Sequence, residues 1–134
     1  MFKFPSEEWI RVFKDEVNKN KAYEDVARKW EGDFLFIVTP DEGLEKEVVF
    51  YMDLWHGKCR EAYMVANREV KAADFIYEGP YSNWKNLING KIDPVKGILM
   101  RKFKLKGSMA IIMRNTRAAS ELVKTASKVP TEFI

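Results

Sequence analysis

Residues 72–114 read AADFIYEGPYSNWKNLINGKIDPVKGILMRKFKLKGSMAIIMR, and two hydrophobic periods alternate within them. Ala73-Asp74-Phe75-Ile76-Tyr77 is a short strand before Gly79-Pro80. Helix period follows: Pro80 suits a first helical position, and Trp84, Leu87 and Ile88 share one face. Asn89-Gly90 ends that helix and Asp93-Pro94 starts another, because Asp caps free amides and Pro supplies the first-turn dihedral. Val95, Ile98 and Leu99 form its apolar stripe. Phe103 and Leu105 then alternate with Lys102, Lys104 and Lys106, so a fifth strand with one wet, basic face is expected. Gly107-Ser108 leads into one long final helix, whose stripe is Met109, Ile112, Met113, Thr116, Ala119, Leu122, Val123 and Ala126. Pro130 stops it.

Upstream, the order is helix and then strands. Glu7 and Glu8 suit the positive end of a helix carrying Trp9, Val12, Phe13 and Val17. Asn18-Lys19-Asn20 interrupts it. Tyr23, Val26, Ala27 and Trp30 mark a second short helix, which Gly32 is expected to end. From Phe34 to Val38, FLFIV is a continuous apolar run, the mark of a central strand covered on both faces. Pro40-Asp41-Glu42-Gly43 is a turn. Val48, Phe50, Met52 and Leu54 alternate with Val49, Tyr51 and Asp53 in a second strand. His56-Gly57 turns the chain into a third, with Cys59, Glu61, Tyr63 and Val65 opposite Arg60, Ala62 and Met64. Connections this short predict antiparallel hairpins.

The 134 residues amount to one domain, 1–134, with 46% apolar and 32% charged residues, a globular balance. No apolar run approaches the roughly 18 residues of a membrane span, and MFKFPSEEW has no apolar signal region. A cytoplasmic location is expected. Cys59 is the only cysteine, which excludes an internal disulfide and a cysteine-based zinc site. Net charge is +3, yet residues 91–117 alone carry +7 through Lys91, Lys96, Arg101, Lys102, Lys104, Lys106, Arg114 and Arg117 against Asp93. That asymmetry points either to an anionic partner or to a solvated basic face.

Chemistry-bearing groups are sparse. His56 is the only histidine and sits at a His-Gly turn, so it reads as a surface turn residue, since metal and acid–base sites need oriented partners. Cys59 reads as a small buried residue, since nothing beside it lowers a thiol pKa. The glycines never group as a nucleotide loop, the acids near Asp41 are too few for a calcium loop, and there is no serine elbow. Nucleic acid is disfavoured, because Phe103 and the lysines beside it fall on opposite strand faces whereas a stacking platform wants aromatics on the basic face. Asp53 and Asp74 lie inside strands, where a carboxylate is either solvated or, if buried, a raised-pKa base. Met100, Met109 and Met113 gather with Trp84 and the apolar stripes around the helix–strand–helix unit, either as plain core or as the lining of an adaptable cavity.

In register over residues 72–114, Ala73-Asp74, Gly90-Lys91, Asp93-Pro94, Lys104-Leu105-Lys106 and Gly107-Ser108-Met109 resemble the sterol carrier protein type-2 domain family. The first half of the chain matches that family only in element order. The resemblance implies an α+β fold: a five-stranded, mainly antiparallel sheet covered by helices, with an apolar tunnel between sheet and helices. It implies non-catalytic binding and transfer of a fatty acid, fatty acyl-CoA, phospholipid or sterol-like lipid, with no cofactor. Carried over by position, the tunnel wall would comprise Trp84, Leu87, Ile88, Ile98, Leu99, Phe103, Leu105, Met109, Ile112 and Met113. Lys91, Lys96, Arg101, Lys102, Lys104 and Lys106 would form a basic rim for an anionic headgroup or a transient anionic membrane contact. The Ser-Lys-Leu-like ending of peroxisomal members is absent from Glu132-Phe133-Ile134. Trp30, Trp84 and nine phenylalanines narrow the space, which suits a flexible acyl chain better than a sterol. An alternative of another class is an acid–base enzyme on a hydrophobic substrate in the same cavity, using Asp53, Tyr51 or Tyr63; it requires an inward-pointing carboxylate. A homodimer through the Met and aromatic surface is compatible with lipid carriage.

Overall fold

In the computed structural model, which describes residues 1–134, the chain begins with a short strand, β1 (Phe2–Phe4). Ser6 then caps helix α1 (Glu7–Lys19): its hydroxyl accepts from the Trp9 amide at 3.1 Å, and Glu7 and Glu8 occupy the positive first turn. Trp9, Ile10, Phe13 and Val17 make its buried stripe. Asn20 breaks the helix and restarts it as α2 (Lys21–Val26), its side chain accepting from the Ala22 and Tyr23 amides. Gly32 does not end α2, as the sequence suggested. It lies inside the strand β2 (Glu31–Thr39), where a Cβ would come within 3.2 Å of the Trp30 ring.

β2 is the centre of a five-stranded sheet. It pairs antiparallel with β3 (Val48–Trp55), which pairs antiparallel with β4 (Lys58–Val65). On its other side β2 pairs in parallel with β5 (Phe75–Pro80), and β5 pairs antiparallel with β6 (Lys104–Lys106). The order is β4-β3-β2-β5-β6, mixed but mostly antiparallel, as expected. Two boundaries move. The fourth strand starts at Phe75 rather than Ala73, and Pro80 ends that strand as the cap before helix α3 (Tyr81–Ile88) instead of opening the helix.

A register shift at Asp53/Leu54 also corrects the face assignment in β4. Asp53 pairs with Glu61 and Leu54 with Cys59, so Arg60 is the extra residue of a bulge. Cys59 therefore shares the inner face with Ala62, while Tyr63 and Val65 pack on the outer face. The freed Arg60 side chain makes a two-bond pair with Asp53, at 2.9 and 3.1 Å, and lies over the Trp55 ring.

Asp93 caps α4 (Pro94–Leu99) through bonds to the Val95 and Lys96 amides. The final helix is not continuous. It divides into α5 (Met109–Met113) and α6 (Thr116–Ala126), because the Asn115 amide group turns back to the Ile111 carbonyl at 2.8 Å and diverts the backbone. A last strand, β7 (Thr131–Phe133), pairs in parallel with β1, a contact the sequence did not suggest. Trp9 Nε1 donating to Thr131, and the Tyr81 hydroxyl donating to the Ile134 carbonyl, hold this tail down. No helix is long and apolar enough to cross a membrane.

Candidate functional site

Period two sends Phe34, Phe36 and Val38 to the helix-covered face of β2, and Leu35 and Ile37 to the opposite face. On the helix side, Phe36, Phe50, Leu54 and Tyr77 of the sheet form a floor. Trp9, Ile10 and Phe13 of α1, Trp84, Leu87 and Ile88 of α3, and Val95 and Ile98 of α4 form walls around it. Ala118, Ala119, Leu122, Val123 and Ala126 of α6 close it from above. These faces do not meet. They enclose an apolar cavity of about 100 Å³.

Polar atoms in the walls are engaged elsewhere. Trp84 Nε1 donates to the Ile37 carbonyl at 3.0 Å, Trp30 Nε1 to the Gly32 carbonyl at 3.0 Å, and the Tyr77 hydroxyl to the Pro94 carbonyl at 2.8 Å. Burial pushes the Tyr77 and Tyr23 phenols above their ordinary pKa, so both stay neutral. A space lined this way selects by shape and apolarity.

Phe36 marks the gap in the packing. It sits mid-sheet, flanked by β3 and β5 and roofed by helices, yet it is only half-buried. Ile98, Leu105, Ala119, Leu122 and Val123, also in the lining, are half-buried too. Together these residues make up the α4–β6–α6 side of the lining, which consists of small or half-buried side chains.

Of the residues that resemblance placed on a tunnel wall, Trp84, Leu87, Ile88, Ile98, Leu105 and Ile112 line the cavity. Phe103 is buried but stands behind the lining. It stacks on Tyr77 at 4.6 Å and meets Trp84 edge-on at 5.3 Å. It fits there because Gly79 and Gly97 carry no side chain: a Cβ on either would lie within 2.5 and 3.0 Å of its ring. Met109 packs on the core outside the lining. Leu99 and Met113 depart from the apolar stripes expected of them: they are 62% and 47% exposed and lie outside the lining. The helix carrying Leu99 has only two turns and presents Pro94, Val95 and Gly97 inward. The break at Asn115 re-aims the helix after Met113. Sequence periodicity missed the contributions of α1 and β3, above all Trp9, Phe13 and Phe50. Their helical and alternating spacing was visible, but only the sheet pairing brings them to one space.

Lys91, Lys96, Arg101, Lys102, Lys104 and Lys106 are all exposed, and none makes an ion pair. A separate polar basin of about 410 Å³ lies between the end of α2 and the α5–α6 break. Arg28, Lys29, Arg114 and Arg117 line it, with Asp25, Val26 and Thr116. Asn115 and Ala118 line both this basin and the apolar cavity. Sequence reading put Arg114 and Arg117 in the basic segment but had no reason to bring Arg28 and Lys29 to them.

The groups suspected of acid–base work lie on the other side of the sheet. Tyr51 and Tyr63 belong to the outer cluster, and the Tyr51 hydroxyl donates to Asp33 at 2.8 Å. Asp53 is held by Arg60 beside them, and Asp74 is exposed. None lines the cavity. No group of three His, Cys, Asp or Glu side chains is placed to hold a metal ion.

Residues 5–120 match the SCP-2 sterol transfer family. A crystal structure of sterol carrier protein 2 is similar at 34% identity and TM-score 0.85, over 92% of this chain and 97% of that one. A conserved hypothetical protein from Thermus thermophilus, described as possibly a sterol carrier protein, is 32% identical with TM-score 0.86, over 95% of this chain and 90% of that one. Sterol carrier protein domain 2 of Helicoverpa armigera shares the fold at 18% identity and TM-score 0.62, over 90% of this chain and 86% of that one. No curated protein sequence matches the chain.

Proposed function

The chain belongs to the SCP-2 sterol transfer family, and from that premise we propose that residues 1–134 act as one cytosolic carrier that binds a lipid in the apolar cavity and releases it unchanged. The observation that carries this reading is the unfilled apolar space over Phe36: a side chain at the middle of the sheet, beneath the helices, is left incompletely packed. A residue in that position is otherwise sealed by packing.

The cavity accepts the apolar part of the ligand. Each methylene removed from water contributes about 0.8 kcal/mol. At about 100 Å³ the space is smaller than the dry cavities of about 150 Å³ that take up benzene, so a long chain enters only as the wall yields. The yielding side is α6, whose cavity-facing residues are alanines and half-buried Leu122 and Val123. A flexible acyl chain needs a smaller displacement than a rigid sterol, and this favours fatty acyl ligands. The unpaired cations Lys91, Lys96, Arg101, Lys102, Lys104 and Lys106 suit transient contact with an anionic membrane, at about 1 kcal/mol for each that reaches the surface.

Native mass spectrometry of the gently purified protein tests the reading. A lipid-sized mass increment, removed by organic extraction and restored by incubation with lipid of unchanged chemical composition, is expected. A protein that carries no lipid and takes none up would overturn it.

A further inference from the structure

Four of the nine large apolar side chains that the protein exposes, Leu99, Met100, Ile111 and Met113, fall within residues 99–113. They come from two elements: Leu99 and Met100 end α4, and Ile111 and Met113 belong to α5. Between the two pairs runs β6, where Lys104 and Lys106 are exposed on either side of half-buried Leu105. Ile98, Leu105 and Ile112 line the cavity, and each has one of these exposed side chains as its neighbour in the chain. The α4–β6–α5 wall is therefore one layer thick, with an inner side on the cavity and an outer side in water. At its corner Arg101 takes a left-handed φ of 60° and the Lys102 amide donates to the Gly97 carbonyl at 2.9 Å. Met100, at this corner, is 65% exposed.

Charge on this wall has one sign. Residues 94–120 contain seven cations and no acid, and none of the seven makes an ion pair. Helix α1, another wall of the cavity, carries four acids and three cations over Glu7–Lys19. The occupant of the outer side must therefore be apolar and anionic at once. A second copy of the same face brings cations against cations and is repelled. A protein partner is disfavoured by residue type, since protein interfaces deplete Lys and centre on aromatic anchors, whereas this face sets Leu, Ile and flexible Met among lysines. Aliphatic side chains ringed by Lys and Arg are the composition of a surface that lies in a bilayer interface.

We propose that the outer side of the α4–β6–α5 wall is a membrane-docking surface: Leu99, Met100, Ile111 and Met113 enter the headgroup–acyl boundary of an anionic bilayer, and the cations from Lys96 to Arg114 rest on its headgroups. This rests on the carrier reading above and adds the face, the inserted residues and the orientation. The thin side of the cavity then lies against the bilayer, and α1 faces away from it.

The test measures partitioning onto phosphatidylcholine vesicles with and without phosphatidylglycerol, and in parallel the displacement of a fluorescent fatty acid without vesicles. It uses the wild-type protein and the L99Q/M100Q, I111Q/M113Q, K102E/K104E/K106E and R11E/K19E variants, the last on α1. All these positions are exposed, and circular dichroism checks the fold. The wild-type protein is expected to bind only the anionic vesicles, less as salt rises. L99Q/M100Q and K102E/K104E/K106E are each expected to weaken that binding about tenfold or more, I111Q/M113Q to weaken it less, and R11E/K19E to leave it nearly unchanged. Fatty-acid displacement by L99Q/M100Q should match wild type, because neither residue lines the cavity. Wild-type protein that ignores anionic vesicles overturns the docking surface. Full binding by both glutamine variants with loss in the lysine variant makes the face a general polyanion surface, acidic proteins included, and overturns insertion. A loss in R11E/K19E as large as in K102E/K104E/K106E overturns the orientation. Failure of the wild-type protein to bind fatty acid, with vesicle binding as expected, overturns the carrier reading and leaves the docking surface standing.

Discussion

The two faces of β2 are built from adjacent residues of one strand and end in opposite physical states. On the outer face, Leu35 and Ile37 meet Val49 and Tyr51 and are sealed. The segment after β4 covers them. Arg68 spans β2 by bonding Glu47 beside β3 and Glu78 on β5, and Lys71 lies over the Tyr51 ring. On the inner face, Phe34, Phe36 and Val38 meet helices that leave about 100 Å³ unfilled. Both faces are apolar, so hydrophobicity does not separate them. The cover does: a short charged clasp settles onto aliphatic and tyrosine side chains, whereas α6 brings alanines, with Leu122 and Val123, over large aromatic rings and leaves a space unfilled. An unfilled space arises here where big residues on a rigid sheet face mostly small residues on a helix.

The largest expected difference is in stability. Ile37→Ala, on the sealed face, should cost about 2–5 kcal/mol in denaturant unfolding and leave lipid affinity unchanged. Leu122→Ala, beside the existing void, should cost less than about 2 kcal/mol. Equal costs would remove the distinction between the faces. Next comes affinity. Ala119→Trp fills the inner space and should weaken lipid binding by about tenfold or more, at a stability cost of about 1–3 kcal/mol. Binding that survives this substitution would place the ligand elsewhere.

A pH effect is expected at the inner edge of β4. Burial pushes the Cys59 thiol up to about 12 from an ordinary value of 9.0. The unfolded thiol ionises first, so the stabilisation is complete below about pH 9 and is lost as pH rises from there toward 12. About 1 kcal/mol should be gone by pH 10, measured by urea unfolding. Cys59→Val should flatten that part of the curve, and native Cys59 should resist thiol reagents at neutral pH. Smallest is the clasp. Arg68→Leu should cost about 1 kcal/mol or less and lose its effect in high salt, because the ion pairs are partly exposed.

Much of this contrast is legible in sequence, and the remainder fails for identifiable reasons. FLFIV announces a strand covered on both faces, and period two in Val48–Leu54 gives its neighbour the right inner and outer sets. Short turns supply the hairpins. Beyond Arg60 the alternation misleads, since a bulge adds one residue and flips the faces of those after it. β1 and β7 have three residues each, too few to show a period, and their pairing joins the two ends of the chain. The stripe through Met109 and Met113 runs smoothly into α6, so the local bond from Asn115 that breaks it is invisible to periodicity. Leu99 and Met113 look inward on a helical wheel and outward in space for the same kind of reason: short helices obey their packing. Trp84, Leu87 and Ile88 sit where both period and resemblance put them. The arginine basin could not be read at all, because its two halves are distant in the chain.

The claim that one face of this sheet is a binding space and the other is plain core is tested most directly by displacing a fluorescent fatty acid with an unlabelled long-chain fatty acid, in parallel on the wild-type protein, Ala119→Trp and Ile37→Ala. The account predicts saturable displacement from the wild-type protein and from Ile37→Ala below its unfolding midpoint, and little binding by folded Ala119→Trp. No saturable displacement from the wild-type protein, or equal binding by Ala119→Trp, would contradict it.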